Sequence, residues 1–140
     1  MLNLDLESEF GKRVQRRLQD EVVIWLVTVH PDGTPQPVPA WFLWENDAVI
    51  LYSKPQTPKL RNIAQNSKVS LHFDGDTRGG DIVVFAGEAT VDETAPSAAA
   101  HAVYAAKYSE GFDRLGMTAE QFAQAYSVPV RVTLARVRGH

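Results

Sequence analysis

Three prolines spaced two residues apart, Pro35, Pro37 and Pro39, constrain this chain more than any other feature of its sequence. They fall in the run Thr34 to Trp44, which follows a tight-turn sequence, His30-Pro31-Asp32-Gly33, and reads as one β-strand. N–H groups alternate sides along a strand, so all three missing donors lie on the same side. A strand cannot pair through that side, so this one has to be an edge or a bulge. Its carbonyls, with the N–H groups of Val38, Ala40 and Trp41, would then be open to a flat ligand with polar edges. A blunted edge that merely prevents aggregation explains the same pattern.

The rest of the chain supplies the partners for such a strand. Ser8 to about Glu21 carries Phe10, Val14 and Leu18 at helical spacing and predicts an amphipathic surface helix. Its Lys12, Arg13, Arg16 and Arg17 read as a solvated face, with an anionic ligand as the other use. The β-branched run Val22 to Val29 predicts a strand buried on both faces. Asn46-Asp47 marks a hairpin before a strand at Ala48 to Ser53. A helix follows from Thr57, then an alternating strand, Val69 to Phe73, with His72 on its polar face. Asp74 to Gly80 is a loop whose two aspartates lack the oxygen set of a calcium site, so no metal is expected. Ile82 to Val91 is a strand in which Gly87 suggests a bulge. Pro96 to Tyr108 predicts a helix, Gly111 to Gly116 a loop, and Thr118 to Gln121 a capping box opening a second short helix. Val128 to Val137 alternates as a last strand. Six strands in hairpin order, with helices between, predict a mainly β (α+β) fold: a small antiparallel barrel with peripheral helices, spanning residues 1–140 as a single domain.

Charge picks out one place in this scheme. The chain has 14 Lys and Arg against 17 Asp and Glu, a net charge of −3. Yet between Asp47 and Asp74 there is no carboxylate, while Lys54, Lys59, Arg61 and Lys68 fall there. Thr57-Pro58 in the same stretch is a helix start, Thr as the cap and Pro at the first helical position. The open N–H groups of that first turn, beginning with Lys59 and Leu60, make an anion site at the positive end of the helix dipole. Lys59 adds a full charge, so a phosphate group is expected there.

Other chemistries are set aside by what is missing. The chain has no cysteine, hence no disulfide, thiolate nucleophile or thiolate metal site. No Gly-x-Ser-x-Gly elbow, His-Glu-x-x-His motif, phosphate-loop lysine or dinucleotide glycine motif occurs. Net acidity argues against a nucleic-acid partner. No apolar run is long enough for a membrane span and the N-terminus does not read as a signal peptide, so a cytoplasmic location without a membrane partner is expected. An anion site and an aromatic-rich groove (Trp41, Phe42, Trp44), without a reactive side chain, suit a cofactor whose own ring performs the chemistry.

The turn, the proline-interrupted strand, Ile50-Leu51-Tyr52-Ser53 and Pro58-Lys59-Leu60-Arg61-Asn62-Ile63 resemble the pyridoxamine 5′-phosphate oxidase-like split β-barrel superfamily. Within it, the resemblance points to the branch of small actinobacterial F420-dependent (deazaflavin) oxidoreductases. It covers roughly residues 8–137 and is strongest over 22–91. It implies a split barrel of the flavin mononucleotide-binding type and a homodimer with cofactor sites at the subunit interface. It also implies hydride transfer from reduced F420 to an unsaturated or quinone-like small molecule, with no catalytic side chain named. Flavin mononucleotide (FMN) is the alternative cofactor, and a non-catalytic flavin, deazaflavin or haem carrier the alternative role. By position, Thr57 and Lys59 would grip the cofactor phosphate within the matched helix start that includes Pro58 and Asn62. Ser53 and Lys54 would flank it. Val38, Pro39, Ala40 and Trp41 would run along the ring, and Arg61 or Arg78 could pair with the acidic tail of F420 or remain solvated. True pyridoxamine phosphate oxidases carry basic side chains on the second strand and an extra C-terminal segment. Here Pro37-Val38-Pro39-Ala40-Trp41 has no cation, which argues against vitamin-B6 chemistry.

Overall fold

Helix α1 (Glu9–Asp20) opens the fold in the computed structural model, which describes residues 2–140. Seven strands follow: β1 (Val23–Val29), β2 (Pro35–Trp41), β3 (Leu43–Glu45), β4 (Ala48–Ser53), β5 (Lys68–His72), β6 (Val83–Val91) and β7 (Val128–Gly139). Between β4 and β5 lies α2 (Pro58–Gln65). Between β6 and β7 lie α3 (Ala102–Lys107), α4 (Ser109–Leu115) and α5 (Ala119–Ala125).

All pairings are antiparallel, in the order β2-β1-β5-β6-β7-β4-β3. The expectation of six strands is corrected to seven because the run Thr34 to Trp44 breaks at Phe42. Its two halves, β2 and β3, sit at opposite ends of the strand order with a single residue between them. One residue cannot cross a flat seven-stranded sheet, since neighbouring strands lie about 4.8 Å apart. The sheet therefore curls until its two edges approach, giving an open half-barrel with its split between β2 and the β3–β4 hairpin.

The prolines explain why the barrel stays open there. β2 pairs with β1 alone, Val38 opposite Leu26 and Ala40 opposite Ile24. Proline has no N–H, so the donors that β2 sends to β1 belong to Gln36, Val38 and Ala40. Their N–H groups are thus engaged in the sheet, and the open edge presents the proline carbonyls and the backbone of Trp41.

The corner itself is held by side chains. Phe42 is fully buried, and its N–H donates to the Tyr108 hydroxyl oxygen at 2.7 Å. Its carbonyl accepts from Lys107 Nζ at 2.9 Å. A phenol has one proton to give. With Phe42 O already served by Lys107, that proton goes to Val22 O, 2.6 Å away, rather than to Phe42 O at 2.9 Å.

Two hydrophobic clusters flank β4, whose six residues are all buried. Inside the barrel, Leu26, Phe42, Leu51, Leu71, Phe85, Val132 and Leu134 pack together, with Val14 and Leu18 of α1 among them. Outside, Ala48, Ile50 and Tyr52 are covered by Tyr104, Tyr108, Phe112 and Phe122 of the α3–α5 segment. The strand buried on both faces is therefore β4. In β1 only Ile24, Leu26 and Thr28 are buried while Val23, Trp25 and Val27 are half-buried, because no layer covers its outer face.

Other details follow the sequence. Asn46 and Asp47 turn with φ of 52° and 61°, the positive values a two-residue hairpin needs. A register shift falls between Ala86 and Gly87, and the Thr118–Gln121 capping box forms. Two readings change. Arg13 and Arg17 are not solvated: Arg13 meets Asp81 at 2.7 Å, and buried Arg17 bonds Glu21 and the carbonyls of Asp74 and Asp81. The expected loop from Gly111 to Gly116 is mostly α4. Gly111 serves contact there rather than a turn, since a Cβ on it would lie 2.6 Å from the Trp41 ring.

The corner can be tested in two ways. Tyr108→Phe leaves the buried Phe42 N–H without an acceptor and should cost about 1–3 kcal/mol in chemical denaturation; unchanged stability would contradict the corner as described. Burial lowers the Lys107 pKa to about 8, against 10.5 ordinarily. The unfolded chain therefore binds more protons between these values, and this contribution to stability rises with pH from about 8 upward. The melting temperature of the protein relative to a Lys107→Met variant should climb between about pH 8 and pH 10, and a flat difference would contradict the burial of this amine.

Candidate cofactor site

The barrel's split opens into a cavity of about 340 Å³. Val23, Pro39, Ala40 and Trp41 form one wall from the β1–β2 side. Tyr52 comes from β4, Lys59 from the first turn of α2, and Tyr104, Leu115, Phe122 and Tyr126 from the segment that covers the outer face. The lining is aromatic and apolar with one cation.

That cation stands at an open helix start. Thr57 occupies the cap position of α2, but its side chain makes no capping bond. The Ser53 hydroxyl donates to Lys54 O at 2.8 Å, so the Thr57 hydroxyl, 3.1 Å away, is the donor to Ser53 Oγ. Pro58 has no N–H, and the first helical bond runs from Arg61 N to Thr57 O. Among the described residues the N–H groups of Lys59 and Leu60 are left without protein partners, as at any uncapped helix start. Lys59 is half-buried and forms no ion pair among the described residues; burial lowers its pKa.

The other sequence-derived candidates divide into three groups. Pro39, Ala40, Trp41 and Lys59 line the cavity. Ser53 and Thr57 shape the turn into α2, and Lys54 leans over the ring of Tyr126 at 5.4 Å, on the cavity rim. The remainder face elsewhere. Val38 packs against the barrel core. Pro58, Arg61 and Asn62 border a separate groove with His30 and Gln36. Arg61 donates to Gln56 O at 2.6 Å and braces the preceding loop. Asn62 is buried and gives both amide hydrogens to Thr28 and Gln36, tying α2 to the first hairpin. Arg78 sits on the β5–β6 loop, which Arg13, Arg17 and His140 fasten to α1 and the C-terminus, and it does not line the cavity.

The aromatic groove also differs from expectation. Phe42 points into the core and Trp44 packs against it, leaving Trp41 alone at the cavity. Its ring stacks on Tyr108 at 4.6 Å and on Phe122 at 5.4 Å between centroids. The aromatic wall comes instead from residues the sequence reading did not single out: Tyr52, Tyr104, Phe122 and Tyr126. All four tyrosines of the chain lie in or against this region, three of them lining the cavity and Tyr108 behind Trp41. The available signal was Tyr104 and Tyr108, one helical turn apart on one face. The two rings pack at 4.8 Å. The α3 helix that carries Tyr104 is set by His101, whose Nδ1 accepts from Tyr104 N at 3.4 Å while Nε2 meets Glu45 of β3 at 3.0 Å.

No helix among the described residues is long and apolar enough to cross a membrane. Among curated proteins, no sequence matches this chain. Solved structures share the fold. A conserved hypothetical protein from Mycobacterium tuberculosis superposes with a TM-score of 0.71 at 24% identity, covering 94% of this chain and 82% of that one. An F420 reductase matches with a TM-score of 0.64 at 22% identity, covering 89% and 94%. The haem storage protein HutZ from Vibrio cholerae matches with a TM-score of 0.65 at 15% identity, covering 94% and 95%. The sequence profile described as Pyridoxamine 5′-phosphate oxidase matches residues 10–139. With nearly its whole length inside that match and a half-barrel to accompany it, the chain belongs to the pyridoxamine 5′-phosphate oxidase family of split β-barrels.

Proposed function

We propose that the cavity seats the planar, phosphorylated end of reduced deazaflavin F420, and that the chain is an F420-dependent oxidoreductase acting on an unsaturated or quinone-like small molecule. One observation carries this reading: a half-buried cation without an acidic partner, beside two N–H groups unbonded among the described residues, edges a cavity otherwise lined by aromatic and aliphatic side chains. A phosphate answers the first part and a flat heterocycle the second. The volume falls within the usual range for small-molecule sites, about 300–1,000 Å³. The same phosphate seat would also accept flavin mononucleotide, the second reading.

When bound, the coenzyme supplies the hydride. The chain's own residues bind and orient. The α2 start and Lys59 hold the anion, and Tyr52, Tyr104, Phe122 and Tyr126 confine the ring and keep water away. The open β2 edge, with the Trp41 N–H and the Pro39 carbonyl, offers polar contacts along the ring's rim. Holding donor and acceptor in contact can by itself lower a barrier by about 7–11 kcal/mol, which suits a site without a reactive side chain. The working unit of this reading is a homodimer with two cofactor sites at the interface. Exposed Val22, Val103 and Leu115, each lining the cavity or next to a lining residue, form apolar surface that a second copy would cover.

Side-by-side fluorescence titrations with F420 and flavin mononucleotide test the reading, and F420 should bind more tightly. Lys59→Ala should weaken binding by about 1.5–3 kcal/mol, the value of a charge-assisted contact; equal affinity in the variant would remove the phosphate from this site. Because burial lowers the Lys59 pKa, affinity should begin to fall at a lower alkaline pH than an ordinary lysine would give. Oxidation of reduced F420 with a panel of acceptors separates an enzyme from a carrier. Sedimentation should give a dimer, and a monomer at micromolar concentration would contradict the assembly.

A further inference from the structure

We propose that the hydroxyl of Tyr104 is the neutral hydrogen-bond donor with which the cavity recognises an acceptor atom, such as a carbonyl oxygen, on the ring of its ligand. The inference rests on the reading of the cavity as a cofactor site and adds a residue that reads the ring rather than the phosphate.

Three buried tyrosines pack together here, and the hydroxyl protons of two are already given to backbone carbonyls. Tyr108 Oη accepts from Phe42 N and donates to Val22 O. Tyr52 Oη donates to Pro96 O at 2.8 Å. Tyr104 is 1% exposed, yet its hydroxyl makes no hydrogen bond to the protein among the described residues. No fully buried side-chain nitrogen or oxygen lacks a partner there. The Tyr104 Oη therefore keeps part of the residue's small exposed surface, and Tyr104 lines the cavity. No protein acceptor among the described residues takes the hydroxyl proton, and a ligand that excludes water from the cavity without offering an acceptor would leave it unpaired, at a cost comparable to a lost hydrogen bond. Tyr104 is thus a donor held ready for something that enters the cavity.

Its orientation is fixed. Tyr104 packs edge-on against Tyr52 at 4.8 Å and tilted against Tyr108 at 4.8 Å, and its helix is anchored through His101 and Glu45. Burial raises the Tyr104 pKa, with Tyr108, Tyr52 and Tyr126 adding to the effect. The phenol therefore stays protonated and able to donate at neutral and mildly alkaline pH. The cavity thus offers a cation and backbone donors at one side for an anion, and an uncharged donor on the aromatic wall for a ring acceptor. A purely hydrocarbon ring of the same size would leave this hydroxyl unpaired and is selected against.

Tyr104→Phe removes one oxygen and keeps the packing. Dissociation constants for F420 and flavin mononucleotide, read by quenching of tryptophan fluorescence with Trp41 in the wall, should rise roughly 3- to 10-fold in the variant for the ligand that the unaltered protein binds. The melting temperature of the ligand-free variant should equal or exceed that of the unaltered protein, since no protein contact is lost. Unchanged affinity would overturn the inference, as would a clearly lower melting temperature, which would reveal an internal partner for the hydroxyl. Failure of the unaltered protein to bind either ligand would instead fell the cofactor reading, and this inference with it.

Discussion

The fold depends on how the chain passes Phe42. A backbone that leaves one edge of a sheet and joins the other within a single residue has, at that residue, no strand to bond to. An unpaired buried N–H or C=O is unfavourable enough that such a corner needs its own donors and acceptors. Tyr108 and Lys107 supply them from the α3–α4 junction, and Lys107 rests its charge over the Phe42 ring at 4.0 Å. The same junction brings α3, α4 and α5 over the outer face of β4 and stacks Tyr108 on Trp41. The curl of the sheet and the cavity wall therefore share the same contacts. A chain that could not satisfy Phe42 would lose both.

The cavity exists because the barrel is left unsealed on one side. The prolines of β2 prevent a further strand from joining that edge, so the gap beside it stays available for a ligand. Polar groups reach the gap from two directions: the uncapped start of α2, and the tyrosine cluster of the C-terminal helices. In an acidic protein, the stretch from Ala48 to Phe73 around Lys59 carries no carboxylate. Thr57 contributes in an unexpected way, through a cap residue turned away from its helix. By bonding to Ser53 it leaves the first-turn N–H groups open where a conventional cap would have closed one of them.

Much of this was legible in the residues. Period-two prolines identified the edge strand, Asn46-Asp47 the hairpin, Thr118 to Gln121 the capping box and Thr57-Pro58 the helix start, because each depends on local backbone chemistry. A small antiparallel barrel followed from the pattern of these elements, and the family from the resemblance of the proline-interrupted strand, Ile50 to Ser53 and Pro58 to Ile63. The break at Phe42 was not legible, since its cause is a hydroxyl 66 residues later in the chain. The helix across Gly111 was hidden for a related reason: glycine there answers to the Trp41 ring, a long-range contact, while composition alone reads it as a breaker. Of the residues that line the cavity, Lys59, Pro39, Ala40 and Trp41 were legible in the sequence because charge and missing donors mark them. Tyr52 and Tyr104 were not, since a buried tyrosine announces nothing until its hydroxyl's partners can be counted. Asn62 was assigned to the site through the matched helix-start motif, whereas its side chain turns inward to Thr28 and Gln36.

The central claim is that an anion sits on the first turn of α2 while a flat ring fills the aromatic cavity behind it. Backbone amide resonances report this most directly, through ¹⁵N–¹H spectra recorded as F420 is added. The account predicts that the largest shifts fall on the amides of Lys59 and Leu60, together with the Trp41 indole. Shifts confined to the Asp74–Asp81 loop, or to the groove around Arg61 and His30, would place the ligand elsewhere and contradict it.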